Sequence, residues 1–299
     1  MASRTWETAE IALLRRHVRD GLNAEQISRA LTRDGLPRTH QAVRRKVQSL
    51  RKKDPHGWHA LVRHADTPRH TRQIQLQADR VLLLFDIHAP FHDATWINRC
   101  IDEALDAGCT AVGVGGDLID FASFSVYGRE PRIEAIDEID SAEQVVTTLA
   151  RTFDRVVYAG GNHEARLPRK TDNLLGLAQA MELFVRAPNV EITDYHWFEV
   201  VSGGQRYYVE HPRNYSMHAT IVPKALCSKY LCHVVAGHGH GWGITRDVSG
   251  RYWAIDAGMC ADPLRLGYVV KQHSRAPAMQ QGAVILVDGV PRLLSPHIT

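Results

Sequence analysis

The chain has 299 residues, 44% of them hydrophobic and 23% charged, the mix of one or two globular domains, which excludes a low-complexity polar chain. Its longest strongly apolar run, around Val81–Phe85, falls far short of the roughly 20 residues a membrane helix needs, and Met1–Trp6 lacks the apolar core of a secretory signal, so neither a membrane partner nor export is expected. The net charge of +3 averages two unlike parts: residues 1–80 hold 17 Lys/Arg against 8 Asp/Glu, a balance of +9, and the remainder balances at −6, as expected of a basic arm that holds a polyanion and an acidic body that holds cations.

Residues 1–53 predict three short helices. Thr5 caps the first, whose apolar positions Trp6, Ile11, Leu14 and Val18 follow helical spacing until Gly21. Asn23 caps the second, with Ile27 and Leu31 inward and Gly35 at its end; Thr39 caps the third, which runs to about Lys53 with Val43, Val47 and Leu50 inward. Gln41, Arg44, Arg45, Gln48 and Lys52 then lie on the outer faces. Residues 54–79, with Pro55, Gly57, Pro68 and an aperiodic run of His and Arg, read as a linker.

A second domain spans 80–299. Its apolar runs Val81–Phe85, Ala111–Val114, Val156–Ala159, Tyr207–Val209, Val234–Ala236 and Ala283–Val287 are predicted strands, with helices at Asp93–Ala107 and Ile136–Thr152 between the early ones. This alternation predicts an α/β layered fold. The later strands follow one another with only loops between, so the sheets are expected to be mixed. Ser202-Gly203-Gly204 reads as a hairpin turn. Five cysteines with no CxxC spacing and one left over argue for a reducing, cytoplasmic compartment.

The chemistry is concentrated at strand ends. Asp86 and His88 follow the first strand, Asp117 and Asp120 the second, Asn162 and His163 the third, His211 the fourth, and His238 and His240 the fifth. Sites in α/β sheets gather at carboxyl ends of strands. Carboxylate, imidazole and amide oxygen, without thiolate, suit hard-to-borderline divalent ions. His196 and His218 are nearby competitors for His211, whose motif is Glu210-His211-Pro212. Arg166, Arg169 and Lys170, together with Asn214 and Tyr215, are further substrate-contact candidates, and the aromatic stretch Phe121–Arg129 borders the site in this reading. His17, His56, His92, His233, His273 and His297 read as ordinary solvated or core histidines.

Asp86-x-His88, Gly116-Asp117-x-x-Asp120, Gly161-Asn162-His163-Glu164, His211 and Gly237-His238-x-His240 together resemble the ordered motifs of the calcineurin-like metallophosphoesterase family, over roughly residues 80–290. The resemblance implies a four-layer αββα sandwich of mixed sheets and a site for two divalent ions, manganese foremost, with iron, zinc, nickel or magnesium as alternatives. It implies that Asp86, His88 and His240 hold one ion, that Asn162, His211 and His238 hold the other, and that Asp117 bridges them. His163 would act at the leaving-group oxygen, oriented by Asp120, while a metal-activated hydroxide attacks phosphorus.

The N-terminal pattern Trp6, Leu13-Leu14, Gly21, Ile27, Leu31, Arg38-Thr39, Val43 and Val47 resembles Myb/SANT-like helix-turn-helix modules, which implies a DNA partner contacted through Arg38, Gln41, Arg44, Arg45, Gln48 and Lys52, with a protein, RNA or another subunit as the alternative partners of a basic three-helix module. The fusion of such a module to a compact phosphoesterase resembles phage and prophage proteins. The expected function is therefore a phosphodiesterase or nuclease acting on DNA. The alternatives are a phosphatase acting on monoesters and a DNA-binding regulator with a vestigial catalytic domain.

Overall fold

The computed structural model describes residues 5–61, 73–125, 133–267 and 279–296. The chain divides into two compact units, residues 1–69 and 70–299.

The first unit is a three-helix module: α1 (Thr8–Arg19), α2 (Ala24–Arg33) and α3 (His40–Lys53). Asn23 caps α2 by accepting the Gln26 N–H at 2.9 Å, and Thr39 Oγ1 caps α3 by accepting the Ala42 N–H at 3.2 Å, as the sequence predicts. The first cap differs. Helix α1 starts after Glu7, not Thr5, because the Glu10 carboxylate reaches back to the Glu7 N–H at 3.0 Å. That carboxylate is buried and also takes the Arg38 guanidinium at 2.7 Å; the Arg38 side chain is 7% exposed and lies over the Trp6 ring. Arg38 is thus spent inside the module and does not join the outward set. Gln41, Arg44, Arg45, Gln48 and Lys52 are exposed on α3. The core is Leu14, Val18, Ile27, Leu31, Val43, Val47 and Trp58. Trp58 falls in the span read as a linker; its carbonyl accepts the Arg51 Nε–H at 2.7 Å, so the module continues past Lys53.

In the second unit β1 (Gln75–Gln77) comes first, also from the expected linker, because it pairs in parallel with a later strand. The chain continues through β2 (Arg80–Leu84), α4 (Ala94–Asp106), β3 (Ala111–Val114), a short 3-10 turn at Ala122–Phe124, α5 (Ala135–Thr152), β4 (Arg155–Tyr158), α6 (Arg166–Lys170), α7 (Leu177–Met181), β5 (Val190–Ile192), β6 (Trp197–Ser202) and β7 (Gln205–Glu210). It ends with α8 (Ile221–Tyr230), β8 (His233–Ala236), β9 (Trp242–Arg246), β10 (Trp253–Ala257), β11 (Ala283–Val287) and β12 (Val290–Leu294). Helix α8 stands where only a loop was expected. Pro223 near its start and its weak apolar periodicity conceal it, although a proline in the first turn costs little.

Two mixed six-stranded sheets result, ordered β12-β11-β2-β3-β4-β5 and β1-β6-β7-β8-β10-β9. Alternation along β2 explains the layers. Leu82 and Leu84 face α4 and α5, packing with Trp96, Ile97, Val145 and Leu149. Val81, Leu83 and Phe85 face the other sheet, packing with Phe198, Val200, Tyr207, Val209 and Ile255. On that sheet's far side Cys227 of α8 packs with Val234, Ala236 and Ala254. The order helix, sheet, sheet, helix is the expected four-layer αββα sandwich. All five cysteines are buried and unpaired, and among the described residues no helix is long and apolar enough to cross a membrane.

Candidate metal centre

Strand register makes the site. In the first sheet Leu84, Val114 and Tyr158 are level across β2, β3 and β4, and in the second Glu210 is level with Ala236 across β7 and β8. Strands β2, β3 and β4 are parallel to one another, as are β7 and β8, so the residues just beyond their carboxyl ends converge from both sheets. The loops are stitched together by backbone bonds: the His88 N–H donates to the Asp117 carbonyl at 2.9 Å, and the Gly237 N–H to the Glu210 carbonyl at 3.2 Å.

The turns that aim the side chains are strained. Asp86, His88, Asp117, His238 and His240 all have φ between 49° and 69°, in the left-handed region. Each such residue costs about 1 kcal/mol or more and persists only where surrounding structure over-determines it, typically at functional sites. Gly161 is required by close approach. A Cβ there would lie 2.1 Å from Asp117 Oδ1.

Three groups of ligating side chains meet within 4.8 Å: Asp86, His88 and His240; His88, Asp117 and His163; and Asp117, His211 and His238. In the first, Asp86 Oδ1 lies 3.2 Å from His240 Nε2 and 3.7 Å from His88 Nε2. In the last, Asp117 Oδ2 lies 3.2 Å from His211 Nε2, and Asn162 Oδ1 lies 3.1 Å from that same nitrogen. Asp117 Oδ2 is also 4.0 Å from His88 Nε2, between the two groups. His196 instead bonds the Gly160 carbonyl, and His218 is exposed on the loop beyond, so neither joins a group.

Second partners orient the ligands, as imidazole ligands require. His88 Nδ1 donates to Asp120 Oδ2 at 3.0 Å, which turns Nε2 toward Asp86. His163 Nδ1 donates to the Asp120 carbonyl at 2.8 Å; a carbonyl only accepts, so this nitrogen carries the proton. Asp120 thus orients His163 mainly through its backbone oxygen and His88 through its carboxylate. The opposite nitrogen, His163 Nε2, lies 3.8 Å from Asp117 Oδ2 and 3.1 Å from Arg166 Nη2. Arg166 also donates to the Asp120 carbonyl at 2.8 Å and to Oδ1 at 3.1 Å.

Glu164 closes the motif with a role that sequence left unassigned. Fully buried, its carboxylate accepts the N–H groups of Asp117 at 3.1 Å, Leu118 at 2.7 Å, Ile119 at 3.3 Å and Gly161 at 2.6 Å, and the Tyr158 hydroxyl at 2.5 Å. It ties two ligand loops together. Glu138 does similar work nearby, accepting the N–H groups of Ala122 and Ser123. Of the Phe121–Arg129 stretch, Phe121 and Ser123 are buried and Ala122, Phe124 and Ser125 half-buried; residues 126–129 lie outside the described residues.

The electrostatics call for cations. Burial opposes charge on His88, but Asp120 and Asp86 outweigh it and push the imidazole up to about 10. His211 is likewise pushed up to about 9 by Asp117, against burial. Burial and the neighbouring His211 hold His238 down to about 4. Burial raises Asp86 and Asp117, yet the surrounding imidazoles win and keep both below the usual carboxylate range. Asp86 Oδ1 is buried, with the Nε2 atoms of His240 and His88 near it, at 3.2 and 3.7 Å. Such a buried oxygen is costly unless a cation meets it. Oxygen and nitrogen donors at this spacing, with no thiolate, fit hard-to-borderline divalent ions. The fit supports Asp86, His88 and His240 as one set, and Asn162, His211 and His238 as the other, with Asp117 shared.

No family model matches the chain, and no curated protein matches it. Among solved structures, the chain is similar to the phosphoesterase YfcE of E. coli, at 14% identity over 72% of this chain and 98% of that one, with a TM-score of 0.39. It is similar to vacuolar protein sorting 29 of Cryptosporidium parvum at 13% identity, over 73% and 96% of the two chains, with a TM-score of 0.38. Vps29 of Entamoeba histolytica complexed with zinc gives 13% identity over 72% and 97%, with a TM-score of 0.32. At this distance the chemistry rests on the chain's own residues.

Proposed function

We propose that this chain is a two-metal phosphoesterase of the calcineurin-like type that hydrolyses phosphodiesters, DNA foremost. The observation that carries the reading is the continuous set of donor groups joined through Asp117 Oδ2 at the meeting point of two sheets. Bound there, two divalent ions would acidify a water and screen the charge of the phosphate oxygens. Hydrolysis adds water across the P–O ester bond, and the departing oxygen must gain a proton. With its proton on Nδ1, His163 presents Nε2 to the centre beside Arg166 as an acceptor, which would take up a proton lost by the attacking water and return it to the departing oxygen. Arg166 brings a fixed positive charge to the same edge, where negative charge develops. The exposed Gln41, Arg44, Arg45, Gln48 and Lys52 of α3 support DNA as the polyanion, through phosphate contacts.

The test is a manganese-supplemented panel of double-stranded DNA, single-stranded DNA, RNA, a bis-p-nitrophenyl ester and a p-nitrophenyl monoester. Cleavage of DNA and the bis-ester is expected. Asp86→Ala should lose both ion and activity. His163→Ala should keep its metal content and lose about 100-fold or more in kcat. Intact DNA and bis-ester would sink the proposal, and preference for the monoester would make the protein a phosphatase.

A further inference from the structure

The segment that follows His211 carries large apolar side chains in water beside a buried polar centre. Tyr215 is 62% exposed and Met217 is 59% exposed. The segment is nevertheless pinned at both ends. His211 sits among the ligand candidates, 3.2 Å from Asp117. At the other end, the Thr220 N–H donates to the buried Asp256 carboxylate at 2.5 Å, with Thr220 held at φ 71°. The Tyr215 ring meets the His238 ring edge-to-face, with centroids 5.8 Å apart and planes at 80°. Tyr215 also stands over Gly239, between His238 and His240: a Cβ at 239 would lie 3.8 Å from Tyr215 Cβ. A tyrosine placed for packing buries its ring. This one touches a ligand candidate along one side and leaves most of its surface to solvent.

We propose that Tyr215 is a specificity residue whose ring stacks on the planar base of a nucleotide ester while its phosphate lies at the metal centre. The inference rests on the phosphoesterase reading and narrows its substrate to esters with an unpaired base. A base within a duplex has both faces covered, whereas an unpaired base offers a π-face to an aromatic ring irrespective of sequence. The short reach from Tyr215 to His238 suits the span from a base to its own phosphate. Met217, on the same segment, offers a second apolar edge.

The experiment compares wild type, Tyr215→Phe and Tyr215→Ala as manganese-loaded full-length protein. The substrates are the p-nitrophenyl ester of thymidine 5′-phosphate and methyl p-nitrophenyl phosphate, which share a leaving group and differ in the planar group. Tyr215→Ala should raise KM for the thymidine ester about tenfold, the size of one base–aromatic stack, with kcat little changed. The methyl ester should be unaffected, and Tyr215→Phe should behave as wild type. Equal effects on both esters, or none on either, would overturn the proposal. Binding of thymidine 5′-phosphate against inorganic phosphate, measured by calorimetry, separates it from the reading beneath it. If wild type hydrolyses neither ester but binds the nucleotide tighter, and Tyr215→Ala abolishes the difference, stacking stands and the hydrolase reading fails. If the nucleotide binds no tighter than phosphate, stacking fails.

Discussion

At the scale of single residues, the centre sets buried carboxylates against imidazoles. His88 and His211, pushed up to about 10 and about 9, carry protons at pH 7 in the ion-free protein, whereas His238, held down to about 4, is already neutral. Only a neutral imidazole ligates, so ion binding must expel the His88 and His211 protons. The sign follows: affinity for manganese rises with pH, by about tenfold per unit for each proton displaced, and flattens above the two raised values. Calorimetric titrations at pH 7 in buffers of different ionisation heat should report net proton release. A buffer-independent heat at pH 7 would remove His88 and His211 from the ligand set. The ligands themselves were legible from residue type and position after a strand. The choice of His211 over His196 and His218 came from the resemblance alone; the pairing of β7 with β8, which sets Glu210 opposite Ala236, brings its ring within 5.1 Å of His238.

At the scale of elements, ligand loops have no regular hydrogen bonding of their own, so a buried acceptor has to hold them. Glu164 does this for the loops after β3 and β4. Removing it leaves several buried N–H groups without an acceptor, each costing about 1–3 kcal/mol. Glu164→Ala should therefore lose more than about 3 kcal/mol in denaturant unfolding and take up less manganese. Glu164→Gln, which keeps an acceptor oxygen in place, should lose less of both. Unchanged stability and metal content in Glu164→Ala would show that the loops are fixed some other way. Sequence displayed the glutamate in its motif but not its five donors, three from residues 117–119 and two from residues 158–161. The Glu10–Arg38 pair follows the same logic. A basic residue just before α3 reads as a DNA contact until the fold supplies a buried carboxylate for it.

At the scale of the whole molecule, the proposed function divides the work between a basic first part, assigned a polyanion, and an acidic second part, assigned cations. Reversing Arg44, Arg45 and Lys52 to Glu together should weaken DNA binding and flatten its salt dependence, because each phosphate contact contributes a share of the counterion-release slope. Hydrolysis of the bis-ester should stay within about twofold of wild type, since none of the three residues belongs to the unit that carries the centre. DNA affinity and salt slope measured by fluorescence anisotropy, beside bis-ester kinetics, check this; an unchanged affinity would move DNA off α3. The sequence by itself showed an α/β layered domain and placed candidate donors just after its strands, while the four layers came with the family resemblance. Period-two alternation and strand-end chemistry are local properties, and they survive in the order of residues. Tertiary structure decided which candidate donors lie within reach of one another, what Asp120, Glu164 and Arg38 hold, and that Tyr215 packs against His238. Those depend on parallel register between strands far apart in the chain and on left-handed turns at non-glycine residues, which no local pattern encodes.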